Sequence, residues 1–326
     1  MSKADKIFVE NANAILKHGT STKGQKVRPH WPDGTPAYTI KKFFVANEFN
    51  LDPETGEFPA TTLRKTPIKS ATDEILWIWQ KKSNKVSELG SHVWDQWVDA
   101  NGTIGKAYGY QMGKKSVFRV IKTKEQYEDY KAKVSAYNLP SATFSETFGT
   151  RNAADEGAYT FLIMDQTDTV LFQLLYEPFS RRIITNIFCI EELTEMMLQP
   201  CCYSVTFNVT DEGRPDGKLT LNAILNQRSN DMLAAFNWNT VQHAVLLCIV
   251  AQCVGMVPGT LAHVIADQHI YDRHIELVKE LIERPQYPAP KVWLTPDKTD
   301  FYAFTKDDVH VEDYVAGEQM HFEVAI

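Results

Sequence analysis

The sequence predicts an α+β protein. Three observations carry that expectation. Residues 240–256 are apolar on most faces, as a buried central helix should be. Residues 203–209 and 219–225 look like two strands joined by a polar turn at 211–217. Helical and strand text mix without the regular strand–helix–strand beat of a doubly wound sheet.

The elements follow in order. Within residues 1–19, Ile7, Phe8, Ile15 and Leu16 suit one face of a short helix that Gly19 stops. Acids and lysines run through this stretch, so no signal peptide is expected there. Residues 20–60 are rich in Thr, Pro, Gly and Lys and read as loop and strand. Residues 74–79 read as helix, starting from Asp73. Residues 115–160 are Lys-rich, then helical at 125–134, then loop-like with Pro140, Gly149 and Gly157. They predict an insertion or small subdomain at about 115–170 inside one catalytic domain spanning 1–326. The segments TVLFQLLYE and RRIITNIF make 168–188 read as β-rich. Residues 191–198 read as a short helix. Residues 270–282 place Ile275, Val278 and Ile282 on one face, predicting an amphipathic surface helix.

Composition excludes several classes. The 326 residues are 44% hydrophobic and 23% charged, which is globular usage and not that of a disordered chain or a collagen. A net charge of −7 offers no broad basic face for nucleic acid. Five cysteines, an odd count with no CxxC, favour a reducing compartment over a disulfide framework. The longest apolar run, 240–256, contains Gln242, His243 and Gln252 and falls short of a membrane span. A soluble, cytoplasmic protein without membrane partners is expected. GxGxxG, Walker A, HExxH and GxSxG motifs do not occur, so nicotinamide, nucleotide-triphosphate and serine-hydrolase readings lose their supports.

Single residues stay ambiguous. Cys201 follows Pro200 between a helix and a strand, where a thiol can be exposed and activated. It equally fits an inert buried cysteine. Cys202 should point the other way, and Cys248 and Cys253 should be core. Arg181 and Arg182 lie in apolar strand text, and Arg228 and Ser229 follow a strand. Each arginine fits a bound phosphate or a structural ion pair. His269 and His274 are five apart, a poor helical spacing for two metal ligands.

Read in combination, the motifs DEILW (73–77), HVWDQW (92–97), GKAYG (105–109), FSRR (179–182), LQPC (198–201), QRSND (227–231), WN (238–239) and DQHIY (267–271) resemble the folate-dependent thymidylate synthases. The resemblance runs from about residue 27 to the C-terminus, apart from the 115–170 insertion. Val27, Arg28, Trp31 and the DGTP at 33–36 resemble bacterial or phage variants.

The resemblance implies the thymidylate synthase/pyrimidine hydroxymethylase fold: a large twisted mixed sheet with helices, dimerising sheet to sheet. It implies dUMP as substrate and 5,10-methylenetetrahydrofolate as co-substrate, with no metal and no nicotinamide. Cys201 would add to C6 of the uracil. Tyr108 would help remove the C5 proton, and Glu74 would organise the proton relay. Arg28, Arg228 and Ser229 match phosphate ligands, with Gln227 in support. Arg181 and Arg182 match a pair donated across a homodimer. The arginines should favour thiolate at Cys201. Asn239 would read the base, and His269 and Tyr271 the ribose. Asp231 and Trp94 would face the folate, and Ala325 and Ile326 belong to a C-terminal segment that closes over the site.

Departures keep other readings open. Cys202 stands where histidine is commonest. Ala235, Asn237 and Trp238 replace glycine, proline and phenylalanine, and Ile265–Ala266 replaces a double glycine expected to line the cavity. A pyrimidine hydroxymethylase of the same fold is the alternative; a non-catalytic nucleotide- or RNA-binding regulator is the third reading.

Overall fold

A computed structural model describes residues 1–145 and 159–326; the expected loop glycines Gly149 and Gly157 lie outside the described residues. Helix α1 (Lys3–His18) is capped by Ser2, whose hydroxyl accepts from the Asp5 N–H at 3.0 Å, and ends at Gly19. It buries Ala4, Phe8, Ala12 and Ile15, with Ile7 and Leu16 at the margins. Short β1 (Thr20–Ser21) precedes β2 (Thr39–Asn50). Helix α2 (Ile68–Trp79) starts earlier than predicted and turns Glu74 inward with Ile75, Leu76 and Ile78.

After the short α3 (Gly109–Met112), β3 (Ser116–Ile121), α4 (Lys124–Ser135), β4 (Thr143–Ser145) and β5 (Thr160–Met164) build a separate three-stranded sheet in the order β3-β5-β4. The predicted helix at 125–134 is α4. The small sheet is anchored by the Ser141 N–H, which donates to Asp168 at 2.6 Å, and by the Tyr137 hydroxyl, which donates to the Thr299 carbonyl at 2.6 Å.

TVLFQLLYE is helical: α5 (Gln166–Tyr176) is capped by Asp165, whose carboxylate accepts from the Asp168 N–H at 3.0 Å. Its β-branched and aromatic text is simply a buried helix face. Only β6 (Ile184–Asn186) within 168–188 is strand, so Arg181 and Arg182 occupy an exposed turn and not a strand. The short helix expected at 191–198 is a 3-10 segment, Ile190–Glu195.

Strands β7 (Cys202–Thr210) and β8 (Thr220–Gln227) agree with the sequence reading, and the buried helix α6 (Phe236–Cys253) does so but starts and ends earlier than 240–256; β9 (Asn230–Asp231) is a two-residue strand between β8 and α6. The long β10 (Val257–Tyr271) was not anticipated. It takes residues 270–271 from the predicted surface helix, which shrinks to α7 (Ile275–Ile282). A hairpin of β11 (Lys291–Leu294) and β12 (Val309–Glu312) follows.

The main sheet has seven strands in the order β1-β2-β10-β8-β7-β6, with β9 also pairing β10. Pairing is antiparallel except for β10 with β8 and β9, so the sheet is mixed and the class is α+β. One face is covered by α6, which packs on α2 and contributes buried Val241, Leu246 and Ile249. Across the other face runs a rung of paired residues, Ile184, Thr206, Ile224, Ala262 and Glu48; Ile184 and Ile224 are 53% and 42% exposed.

Candidate active site

At the start of β7, the Cys201 N–H donates to the Tyr108 hydroxyl at 3.1 Å, and Arg228 Nη2 lies 3.6 Å from Cys201 Sγ. The guanidinium is fixed by donation to the carbonyls of Gln199 (2.7 Å) and Pro200 (2.9 Å), and the Arg228 N–H donates to the Cys201 carbonyl at 3.0 Å. Two segments far apart in sequence are thereby held together. Burial pushes the Cys201 thiol above its ordinary value, against the pull of Arg228, Arg28 and Tyr108. Within this single chain, desolvation outweighs the two guanidiniums. Cys202 also lines the cavity instead of pointing away, because the ladder between β7 and β8 shifts register between Cys202 and Ser204.

Tyr108 holds φ at 45°, in the left-handed region that a tyrosine rarely adopts. Its loop runs too close to its neighbours for side chains. A Cβ on Gly105 would come within 2.1 Å of the Glu195 carbonyl oxygen, and one on Gly109 within 2.1 Å of the Ser83 carbonyl oxygen.

Glu74 is buried, and desolvation pushes it up to about 7 against N–H groups of Gln242, Trp238 and Trp94. The Trp238 indole N–H donates to Glu74 Oε2 at 2.9 Å. Trp238 shares the cavity wall with Asn239, Gln242 and His243, all from the start of α6. Asn239 is oriented from both ends: Gln227 Nε2 donates to its Oδ1 at 2.9 Å, and its Nδ2 donates to Gln242 Oε1 at 3.1 Å. Gln227 is set in turn by His263, whose Nε2 lies 2.6 Å from Gln227 Oε1. Burial depresses His263 to about 3, so the neutral ring donates that proton. The amide of Asn239 is thus pinned as acceptor and donor, with capacity left for one further partner on each side. Gln242, His243 and His263 were not predicted as site residues. The available signal was polar residues inside otherwise apolar elements.

Apart from His263, which stands behind Gln227, these groups line one cavity of about 630 Å³. Of the predicted residues, it gathers Arg28, Glu74, Trp94, Tyr108, Cys201, Gln227, Arg228, Ser229, Asp231, Asn239, His269, Tyr271 and Ala325. Arg181 and Arg182 do not reach it. Ile326 does not line it either. Its backbone pairs with His30 in both directions, at 2.8 and 3.0 Å, and its side chain is 45% exposed. The last residues are also held by Arg273, which bridges Asp33 and Glu323 at 2.6 and 2.7 Å.

A family profile described as thymidylate synthase matches residues 6–326. The chain belongs to the thymidylate synthase family. It is 36% identical to the thymidylate synthase of Bacillus mojavensis and to thymidylate synthase 1 of Bacillus subtilis strain 168, with 100% of each chain covered. It superposes on the thermostable thymidylate synthase A from Bacillus subtilis with a TM-score of 0.77 and 35% identity, covering 99% of both chains.

The cavity suits the family's folate co-substrate. Ile75, Ile78, Trp94, Trp97 and Leu198 give it apolar walls, and among the described residues the buried indole N–H groups of Trp94 and Trp97 close no hydrogen bond. Asp231 adds a charged carboxylate. Burial raises it, but His274, His269 and the Ala234 N–H outweigh burial and hold it below the usual carboxylate range. Among the described residues, no group of three or more His, Cys, Asp or Glu is placed to hold a metal ion, and no helix is long and apolar enough to cross a membrane. Ile265 is fully buried in the core and Ala266 faces outward from the sheet, so neither lines the cavity, contrary to the sequence reading. Ala235 and Trp238 do line it.

Proposed function

We propose that this member of the thymidylate synthase family methylates dUMP reductively to dTMP with 5,10-methylenetetrahydrofolate, through Cys201. The observation that carries this reading is Cys201 Sγ at 3.6 Å from Arg228, in one cavity with Glu74 and a doubly oriented Asn239. Attack of Sγ on C6 of the uracil makes C5 nucleophilic, splitting a difficult substitution into easier steps. Arg228 stabilises the thiolate as it forms, and with Arg28 and Ser229 it binds the phosphate. Asn239 donates to O4 and accepts from N3–H, a pattern that uracil satisfies and cytosine does not. His269, held by Asp267 at 2.9 Å, and Tyr271 take the ribose. Tyr108 and Glu74 move the C5 proton, and a carboxyl poised at about 7 can both give and take one. When bound, the folate supplies the one-carbon unit and the hydride; Asp231 and Trp94 hold it, and the segment ending at Ala325 excludes water.

We read residues 1–326 as one catalytic domain in which the small sheet is an accessory. A homodimer joins through the open face of the main sheet, and Arg181 and Arg182, exposed and outside their own cavity, serve the partner's phosphate site.

Product analysis tests the reaction. Purified protein with dUMP and methylenetetrahydrofolate should give dTMP and an equal amount of dihydrofolate, and Cys201→Ala should abolish turnover. A hydroxymethyl nucleotide without dihydrofolate would move the protein to the hydroxymethylases. Turnover surviving in Cys201→Ala would remove the nucleophile assigned here.

A further inference from the structure

Glu74 is a buried carboxyl in the cavity wall, and among the described residues no Lys or Arg pairs with it. From α2 it faces the indole of Trp238 and the amide of Gln242 on α6, the indole of Trp94, the Tyr108 hydroxyl and the Cys202 thiol, with Cys201 in the same cavity. His243 lines the same cavity, and burial holds it down at about 4, so its ring is neutral. Arg228, which lines the same cavity, is engaged by the backbone beside Cys201. A buried carboxylate without an ion partner keeps its charge and its orientation only through hydrogen bonds.

Three N–H groups are directed at it, and they are not equivalent. Among the described residues, the amide Nε2 of Gln242 and the indole Nε1 of Trp94 close no hydrogen bond. Only Trp238 Nε1 does, at 2.9 Å across the contact between α2 and α6. We propose that Trp238 is a positioning residue for Glu74: its indole N–H holds the carboxylate in one orientation inside the proton relay. The inference rests on the reading of Glu74 as part of that relay.

The placement has a second consequence. Trp238 precedes Asn239 in the same turn of α6, so one stretch of backbone sets both the amide that reads the base and the donor that fixes the acid. A mere space-filler at 238 would act through Asn239 and alter dUMP binding. A donor to Glu74 acts on the proton step. The N–H favours the ionised carboxylate, so its removal must raise the pH at which Glu74 ionises.

The discriminating variant is Trp238→Phe, which keeps an aromatic ring and removes the donor. The expected result is an acid limb of kcat/KM for dUMP moved upward by about one pH unit. KM for dUMP should change by less than about twofold, and release of tritium from C5 should slow in step with turnover. An unmoved acid limb would overturn the proposal, and so would a loss confined to KM. If Trp238→Phe folds poorly, benzothienylalanine at position 238 carries the test, because its ring keeps the indole shape with sulfur in place of N–H. Glu74→Gln separates the two layers. Undiminished dTMP formation by Glu74→Gln would end the relay reading itself, whereas an inactive Glu74→Gln with an unmoved limb in Trp238→Phe defeats the positioning role alone.

Discussion

At the scale of single residues, the site is organised by what burial costs. Glu74 ionises at about 7 in the folded chain against 4.5 in an exposed one. A raised carboxyl pKa means that the unfolded chain releases its proton first. Stability is therefore intact below about 4.5 and falls as pH climbs toward 7, by about 3 kcal/mol at most. Glu74→Gln should then melt close to the wild type at pH 5 and several degrees higher at pH 8, although it loses the relay. Equal melting temperatures at both values would mean that the carboxyl is not strained by its surroundings. Cys201 obeys the same physics: its thiol stays protonated at rest, and charge develops only beside Arg228.

At the scale of elements, α6 and β10 supply the wall that faces the base and the sugar. The start of α6 supplies Trp238, Asn239, Gln242 and His243, and the end of β10 supplies His269 and Tyr271. Close approach of β10 to β8 depends on Gly259. A Cβ there would lie 2.4 Å from Thr220 Cγ2 and 2.5 Å from Asn222 Oδ1, the atom that accepts from the Thr260 N–H. Gly259→Ala should cost about 1–3 kcal/mol, read as a lowered melting temperature with KM for dUMP little changed. An unchanged melting temperature would mean that the two strands part easily. The same elements measure how far the sequence alone could be read. α6 was legible because an apolar run of that length has one home, and β7 and β8 because a polar turn separates them. β10 was hidden: Pro258 and Gly259 weaken its opening, and a ladder shift between Pro258 and Leu261 accommodates them. α5 reads as strand because its buried side is made of residues that also suit strands, while its cap, Asp165, precedes that apolar text. Most site residues came from motifs in a family's order. Polarity inside apolar text marks Gln242, His243 and His263 as unusual, but their roles arise only when α6 lies over the sheet.

At the scale of the whole molecule, the open rung Ile184, Thr206, Ile224, Ala262 and Glu48 and the outlying Arg181 and Arg182 fit a sheet-to-sheet dimer. Sedimentation should give twice the monomer mass. Arg182→Ala should weaken dUMP binding without altering the alkylation rate of Cys201. A stable monomer with full activity would exclude the shared site. One further consequence follows from β10, which lies against β2, from the first sixth of the chain, on one side and β8 on the other. Such pairings close late in folding because long loops must be ordered first. The cavity, with walls drawn from Arg28 to Ala325, exists only once they have closed. Turnover is therefore a conformational assay. A nicked or half-refolded chain can keep its helices, and its circular dichroism, while registering as catalytically silent.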